Sequence, residues 1–212
     1  FHWLGTTVEA EPANGLSVQG TAIGNWVDTK FAAGGDAYQA HLLDLKVSKQ
    51  INGPALVASL EGLMTSGNSR VTDSATGKQI RGRRKNFVSP VAASYLLSLA
   101  TSDGADDSPG TPKESVISSL NQDEGLQILV ASVNANLSRK VSGFVRFGHL
   151  RAGNPSAATG KRHIGDEADL GLIYQLTPST SLQLDYGYFK PGDFHQYRGP
   201  ASLGAAKMKF SF

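Results

Sequence analysis

The sequence predicts an all-β fold: an antiparallel transmembrane β-barrel, with about nine strands in this chain. Three observations lead there. Segments of ~10 residues alternate apolar and polar side chains, as strands with one lipid-facing and one water-facing side must. Short and long connections alternate between those segments. No run of ~18 apolar residues exists, so no transmembrane helix is available. The composition fits a strand-built membrane protein: 24 Gly, no Cys and 8% aromatics in 212 residues, with a mean hydropathy of -0.21. Such a barrel need not look hydrophobic, because every second residue faces water.

Successive strand side chains point to opposite faces, so each segment can be sorted by parity. Residues 3–11 place Leu4, Thr6, Val8 and Ala10 on one face. Pro12-Ala13-Asn14-Gly15 then supplies a tight turn with the favoured Asn-Gly pair. Residues 16–27 set Leu16, Val18, Gly20 and Ala22 against Ser17, Gln19, Thr21 and Asn25. Residues 37–49 set His41, Leu43, Leu45 and Val47 against Asp44, Lys46 and Ser48, and a turn at Ile51-Asn52-Gly53-Pro54 follows. Residues 55–65 set Leu56, Ala58, Leu60, Gly62 and Met64 against Ser59, Glu61 and Thr65.

The second half repeats the scheme. Residues 125–137 set Leu129, Ala131, Val133 and Ala135 against Ser132, Asn134 and Asn136, and Ser138-Arg139-Lys140 turns the chain. Residues 141–151 set Val141, Gly143, Val145 and Phe147 against Ser142, Phe144 and Arg146. Residues 167–177 set Ala168, Leu170, Leu172, Tyr174 and Leu176 against Glu167, Asp169, Gly171 and Gln175. After a turn at Thr177-Pro178-Ser179-Thr180, residues 181–189 set Leu182, Leu184, Tyr186 and Tyr188 against Gln183, Asp185 and Gly187. The last segment sets Ala206, Met208, Phe210 and Phe212 against Ala205, Lys207, Lys209 and Ser211. A terminal Phe closing an alternating strand resembles the assembly signal of bacterial outer-membrane proteins, which makes Phe210 and Phe212 candidates for recognition by the barrel-assembly machinery. Trp26, Tyr186 and Tyr188 near one end, and the two Phe near the other, fit aromatic belts.

The connections near 12–15, 50–54, 138–140 and 177–180 are short, and those near 28–36, 66–124, 152–166 and 190–202 are long and polar. Outer-membrane barrels separate periplasmic turns from extracellular loops in this way. The chain therefore reads as a single barrel domain over residues 1–212 with a long extracellular loop at 66–124. The first and last strands both run toward the short-turn side, whereas a complete bacterial barrel has an even strand number. Either a further strand lies in 87–101, or the chain is the C-terminal part of a larger barrel. The alternation of loop lengths favours the second.

A family resemblance adds to this. The block Gly165-Asp166-Glu167-Ala168-Asp169-Leu170, the run Tyr174-Gln175-Leu176-Thr177-Pro178 and the run Gly187-Tyr188-Phe189-Lys190-Pro191-Gly192-Asp193-Phe194 resemble the last hairpin of the alginate-export family of outer-membrane porins. Residues 125–212 carry the resemblance, with weaker echoes at Glu61 to Ser66-Gly67 and at Asn86-Phe87 with Pro90. It implies residence in the bacterial outer membrane, a monomeric barrel of about 18 strands, and passive passage of a solute.

Chemistry-bearing motifs are sparse. His2, His41, His149, His163 and His195 form no H-x-x-x-H or H-E-x-x-H pattern, so spacing supports no zinc site. No G-x-S-x-G elbow is present. No catalytic residue and no cofactor are expected. A net charge of +2 gives no sign of a nucleic-acid partner. The strongest charged feature is Lys78 to Lys85, with Arg81, Arg83 and Arg84 between them. Such a cluster creates a local positive field, suited either to drawing in an anionic solute, a uronate polymer or a small carboxylate, or to gripping lipopolysaccharide phosphates among outer-membrane lipids. The candidate lumen charges are Glu61, Asp169, Asp185, Arg146, Lys207 and Lys209, with Glu9, Asp44 and Lys46 beside them. They either tune selectivity or pair across strands. The alternative function is a structural sleeve that encloses a partner protein in an outer-membrane conduit or secretion complex.

Overall fold

A computed structural model describes residues 2–27, 38–51, 55–67, 70–72, 79–81, 124–196 and 199–210. Its strands are β1 (His2–Ala13), β2 (Leu16–Val27), β3 (Tyr38–Ile51), β4 (Leu56–Thr65), β5 (Arg70–Thr72), β6 (Gln79–Arg81), β7 (Leu126–Asn136), β8 (Val141–Ala152), β9 (His163–Thr177), β10 (Thr180–Pro191) and β11 (Ala201–Phe210). Nine of them form one sheet in the order β1-β2-β3-β4-β7-β8-β9-β10-β11. Every neighbouring pair is antiparallel, so the sheet is an up-and-down meander. The nine segments read from alternation are these nine strands. The short hairpin β5–β6 stands apart from the sheet, inside the connection read as one long loop. No helix among the described residues is long and apolar enough to cross a membrane.

Short connections at 14–15, 52–55, 137–140 and 178–179 lie at one end of the sheet. Those at 28–37, 66–125, 153–162 and 192–200 lie at the other. Gly15 closes the first short turn with φ +68°, a backbone region that costs glycine little. Its carbonyl accepts from Gln50 N at 2.6 Å, and Lys49 Nζ donates to Asn14 O at 2.8 Å, which ties this turn to the end of β3.

Register places the residues on the two faces predicted by parity. Asp185 stands opposite Ala205 and Gly171, while Leu184 stands opposite Ala206 and Leu172. Lys46 faces Glu61, and Val47 faces Leu60. The exposure is inverted relative to a water-soluble sheet. On the apolar face Leu4 is 71% exposed, Leu170 56% and Phe210 58%, while on the polar face Glu167 and Asp169 are 1% and 2% exposed.

The buried apolar cluster sits on the polar face, at the long-connection end. Leu63, Leu126, Ile128, Val130, Leu150, Ala152, Ile164 and Phe194 form it, with Leu42 and Phe189 packed against it. Leu63 opposes Ile128, which opposes Leu150, so three neighbouring strands contribute one level each. One strand departs from its expected bounds here. β9 begins at His163 rather than near 167, and the β8–β9 register shifts between Leu150 and Arg151. The shift lets Ile164 enter the cluster, and burial of that side chain extends the strand.

Leu150 is fully buried, so Leu150→Ala should cost about 2–5 kcal/mol in chemical denaturation. Leu170→Ala, on the exposed face, should cost less than half as much in the same assay. Equal losses would place the stabilising core elsewhere.

Candidate functional site

The polar face is the candidate site, because the sheet gathers there the candidate lumen charges that the sequence singled out. Glu61, Arg146, Asp169, Asp185, Lys207 and Lys209 all share it, on β4, β8, β9, β10 and β11. Parity groups them as charges of one face, and register sets which of them are neighbours. Arg81 lies in β6, opposite Arg70, outside the sheet. Arg83, Arg84 and Lys85 fall outside the described residues, as do the 87–101 stretch and Phe212. Phe210 lies on the apolar face opposite Thr180, at the short-turn end.

Cross-strand geometry organises the charges. Lys46 Nζ lies 3.2 Å from Glu61 Oε2, and Lys207 Nζ lies 3.2 Å from Asp185 Oδ2. Gln183 Nε2 donates to both oxygens of Asp185 at 2.9 Å, so this carboxylate is held by two neighbours on its own face. In both pairs the acid is the shielded member: side-chain exposures are 13% for Glu61 and 8% for Asp185, against 41% for Lys46 and 57% for Lys207. Pairs with an exposed lysine contribute at most about 1 kcal/mol each. Their main effect is to fix where charge stands.

Neutral groups fill the remaining positions. Gln19 Nε2 donates to Glu9 Oε1 at 3.0 Å, the Ser59 and Ser132 hydroxyls meet at 2.6 Å, and those of Thr7 and Thr21 meet at 3.1 Å. Each pair consists of register partners. Arg146 stands opposite Asp169 and Ser132. Its guanidinium also lies 4.1 Å above the Phe144 ring centre, a cation–π arrangement. Phe144 in turn covers Gly171, its register partner: a Cβ on Gly171 would come within 2.1 Å of the ring. Glycine at 171 thus lets an aromatic lie flat under an arginine.

Among the described residues the face carries Glu9, Asp44, Glu61, Glu167, Asp169 and Asp185 against Lys46, Arg146, Lys207 and Lys209. It is mixed in sign, with more acids than bases. Glu167 is more deeply buried than any of the acids proposed as site residues from sequence. Its parity with Asp169 was the available signal. The arrangement offers water a continuous polar surface of shielded carboxylates, exposed ammonium groups and hydroxyl pairs.

A scan against known protein families finds no family that matches this chain, and a search of curated proteins finds no similar sequence.

Gly171→Ala should drive Phe144 from its seat and destabilise the fold by about 1–3 kcal/mol. Phe144→Ala combined with Gly171→Ala should recover part of that loss, because the clash then has no partner. Additive losses in denaturation would show that the Phe144–Gly171 contact does not set the local packing.

Proposed function

We propose that this chain forms the wall of a β-barrel in the bacterial outer membrane that passes solutes passively, in keeping with its resemblance to the alginate-export porins. The observation that carries the reading is the inverted exposure of the sheet. Its apolar face is open across all nine strands, from Leu4 to Phe210, while Glu61, Glu167, Asp169 and Asp185 are shielded. In water such a face is an aggregation surface; in lipid it is the required exterior.

The height of that face supports the reading. On β9 the apolar row runs from Ala168 to Leu176. Eight steps at about 3.4 Å span roughly 27 Å of strand. A tilt of about 40° leaves roughly 21 Å, near the ~25 Å of an outer-membrane apolar band. The row ends at one level on three strands: Phe147, Ala168 and Tyr188 are register partners, and the next outward row is His149, Asp166 and Lys190. Trp26, Tyr186 and Tyr188 lie toward this end and Phe210 at the other, as interfacial aromatics do. In this reading β1 and β11 pair with further strands of a larger barrel, and the long connections face outward.

The solute we propose is anionic, drawn to a mouth made positive by Arg81, Arg83, Arg84 and Lys85 above a wall of mixed sign. Reconstituted in planar bilayers, the protein should conduct with anion preference at low salt. The preference should fade as the Debye length falls from about 30 Å at 0.01 M to about 3 Å at 1 M. Cation preference at low salt would end the anionic reading and leave the loop as a lipopolysaccharide grip.

The faces have their own test. Leu184→Arg places a charge on the lipid side, at a cost of about 2–4 kcal/mol near the midplane, and should reduce folded protein in outer membranes. Asp185→Arg should fold and raise the preference for anions. If Asp185→Arg alone fails to fold, the lipid and lumen faces are exchanged.

A further inference from the structure

The row just beyond the apolar band contains a cluster that no sequence motif announces. His149 on β8 and Asp166 on β9 are register partners, and His149 Nδ1 lies 2.6 Å from Asp166 Oδ1. His163 Nε2 lies 3.2 Å from the other oxygen, Oδ2. The two imidazoles stack with centroids 4.9 Å apart and planes inclined by 20°.

His163 reaches this place through a defect in the ladder. In a regular strand, residues three apart face opposite ways, so His163 would point away from Asp166. The register shift at Leu150/Arg151 makes His163 the partner of Arg151 and leaves Ile164 as the extra residue. Ile164 turns into the apolar cluster, and His163 emerges on the face of Asp166. Bulges commonly re-aim a side chain in this manner.

The position is clamped from the exit of β10. Gly192 N donates to Ile164 O at 2.7 Å, and Phe194 N donates to His163 O at 2.8 Å. A Cβ at residue 192 would stand 2.3 Å from His163 O and 2.6 Å from its Nδ1, so glycine is what allows the clamp to close. Phe194 itself is fully buried. The bulge, the glycine and the buried phenylalanine together fix one imidazole beside another and beside a carboxylate.

We propose that His149, His163 and Asp166 form a binding site for a divalent transition-metal ion, with Zn²⁺ as the reference ion. One donor atom from each of the three lies within 4.8 Å of the others. Two imidazole nitrogens and a carboxylate oxygen suit zinc, nickel or copper and disfavour calcium and magnesium, which take oxygen donors. Zinc bonds of about 2.0–2.1 Å require the stacked rings to open around the ion, a movement of side chains with the backbone clamp left in place. Three protein ligands leave a fourth position for water. The three side chains are between 33% and 44% exposed, while His163 Nε2 itself is buried, so the opening of the rings also admits the ion to that donor. The site lies on the outward rim of the face assigned to lipid, so its outward placement rests on the porin reading. The metal binding itself does not.

Isothermal titration of the folded full chain in detergent, with Zn²⁺ alone and then with Ca²⁺ alone, tests it. The expected result is saturable binding of one zinc ion per chain in the micromolar range, with no comparable calcium binding. His149→Ala, His163→Gln and Asp166→Asn should each weaken it at least tenfold, a loss of about 1.4 kcal/mol. Gly192→Ala, which leaves all three ligand side chains in place chemically but presses its Cβ on the His163 ring, should also weaken it by displacing His163. His41→Ala and His195→Ala should leave it unchanged. Circular dichroism of each variant confirms that it is folded before titration, and cobalt absorption reports the ligand field directly. Zinc affinity retained in the His149→Ala/His163→Gln double variant would overturn the proposal, as would the absence of saturable binding to the wild type. A sheet that binds zinc but conducts nothing in bilayers would refute the porin reading and leave the metal site standing.

Discussion

The period of two along a strand is the constraint on which the rest depends. Each strand sends alternate residues to alternate faces, and the antiparallel ladder holds neighbours in register. A slip of one residue anywhere would carry a whole strand's leucines to the carboxylate side. Lys46 meets Glu61, Ser59 meets Ser132, and Lys207 approaches Asp185 because nine strands keep that count together. No single polar contact on this face is strong. Their alignment follows from the ladder, and the ladder is fixed by apolar residues with nowhere else to go.

Much of this was legible in the chain. The strict alternation of Ala206, Met208 and Phe210 against Ala205, Lys207 and Lys209 states the faces of β11 outright, and the structure places them so. Asn14-Gly15 and Pro178-Ser179 mark their turns by chemistry that works locally. The hairpin β5–β6 was not legible, because three residues a side are too few to show a period. The covering of Gly171 by Phe144 was equally hidden: it depends on which residue of a neighbouring strand stands opposite, and alternation gives the face without the partner.

The apolar cluster at the long-connection end shows where alternation itself breaks down. Ile128-Leu129-Val130-Ala131 is an unbroken apolar run, the signature of a strand buried on both sides. Parity assigned half of that run to the polar face, and Ile128 and Val130 are indeed there, buried against Leu150 and Leu63. So the polar face has an apolar end. Phe194 and the bulged Ile164 complete it, and their packing accounts for β9 starting four residues earlier than alternation suggested. The histidine cluster on the opposite side of the same bulge was invisible for the same reason. His163 and Asp166 have the wrong spacing for one face of an ideal strand, and only the extra residue brings them together.

The unequal shielding within the ion pairs has a dynamic consequence. Glu61 and Asp185 are held close to the sheet, while Lys46 and Lys207 extend beyond them on flexible stems. The negative charge is therefore the more confined of the two, and the positive charge the freer to reach solvent. Under the proposed porin function, an anion moving along this surface would meet ammonium groups able to leave their carboxylates, follow it briefly and return, since each pair is loose enough to exchange partners. Transit in that function would be a series of short-lived hand-offs between tethered cations, with no stop deep enough to trap the traveller.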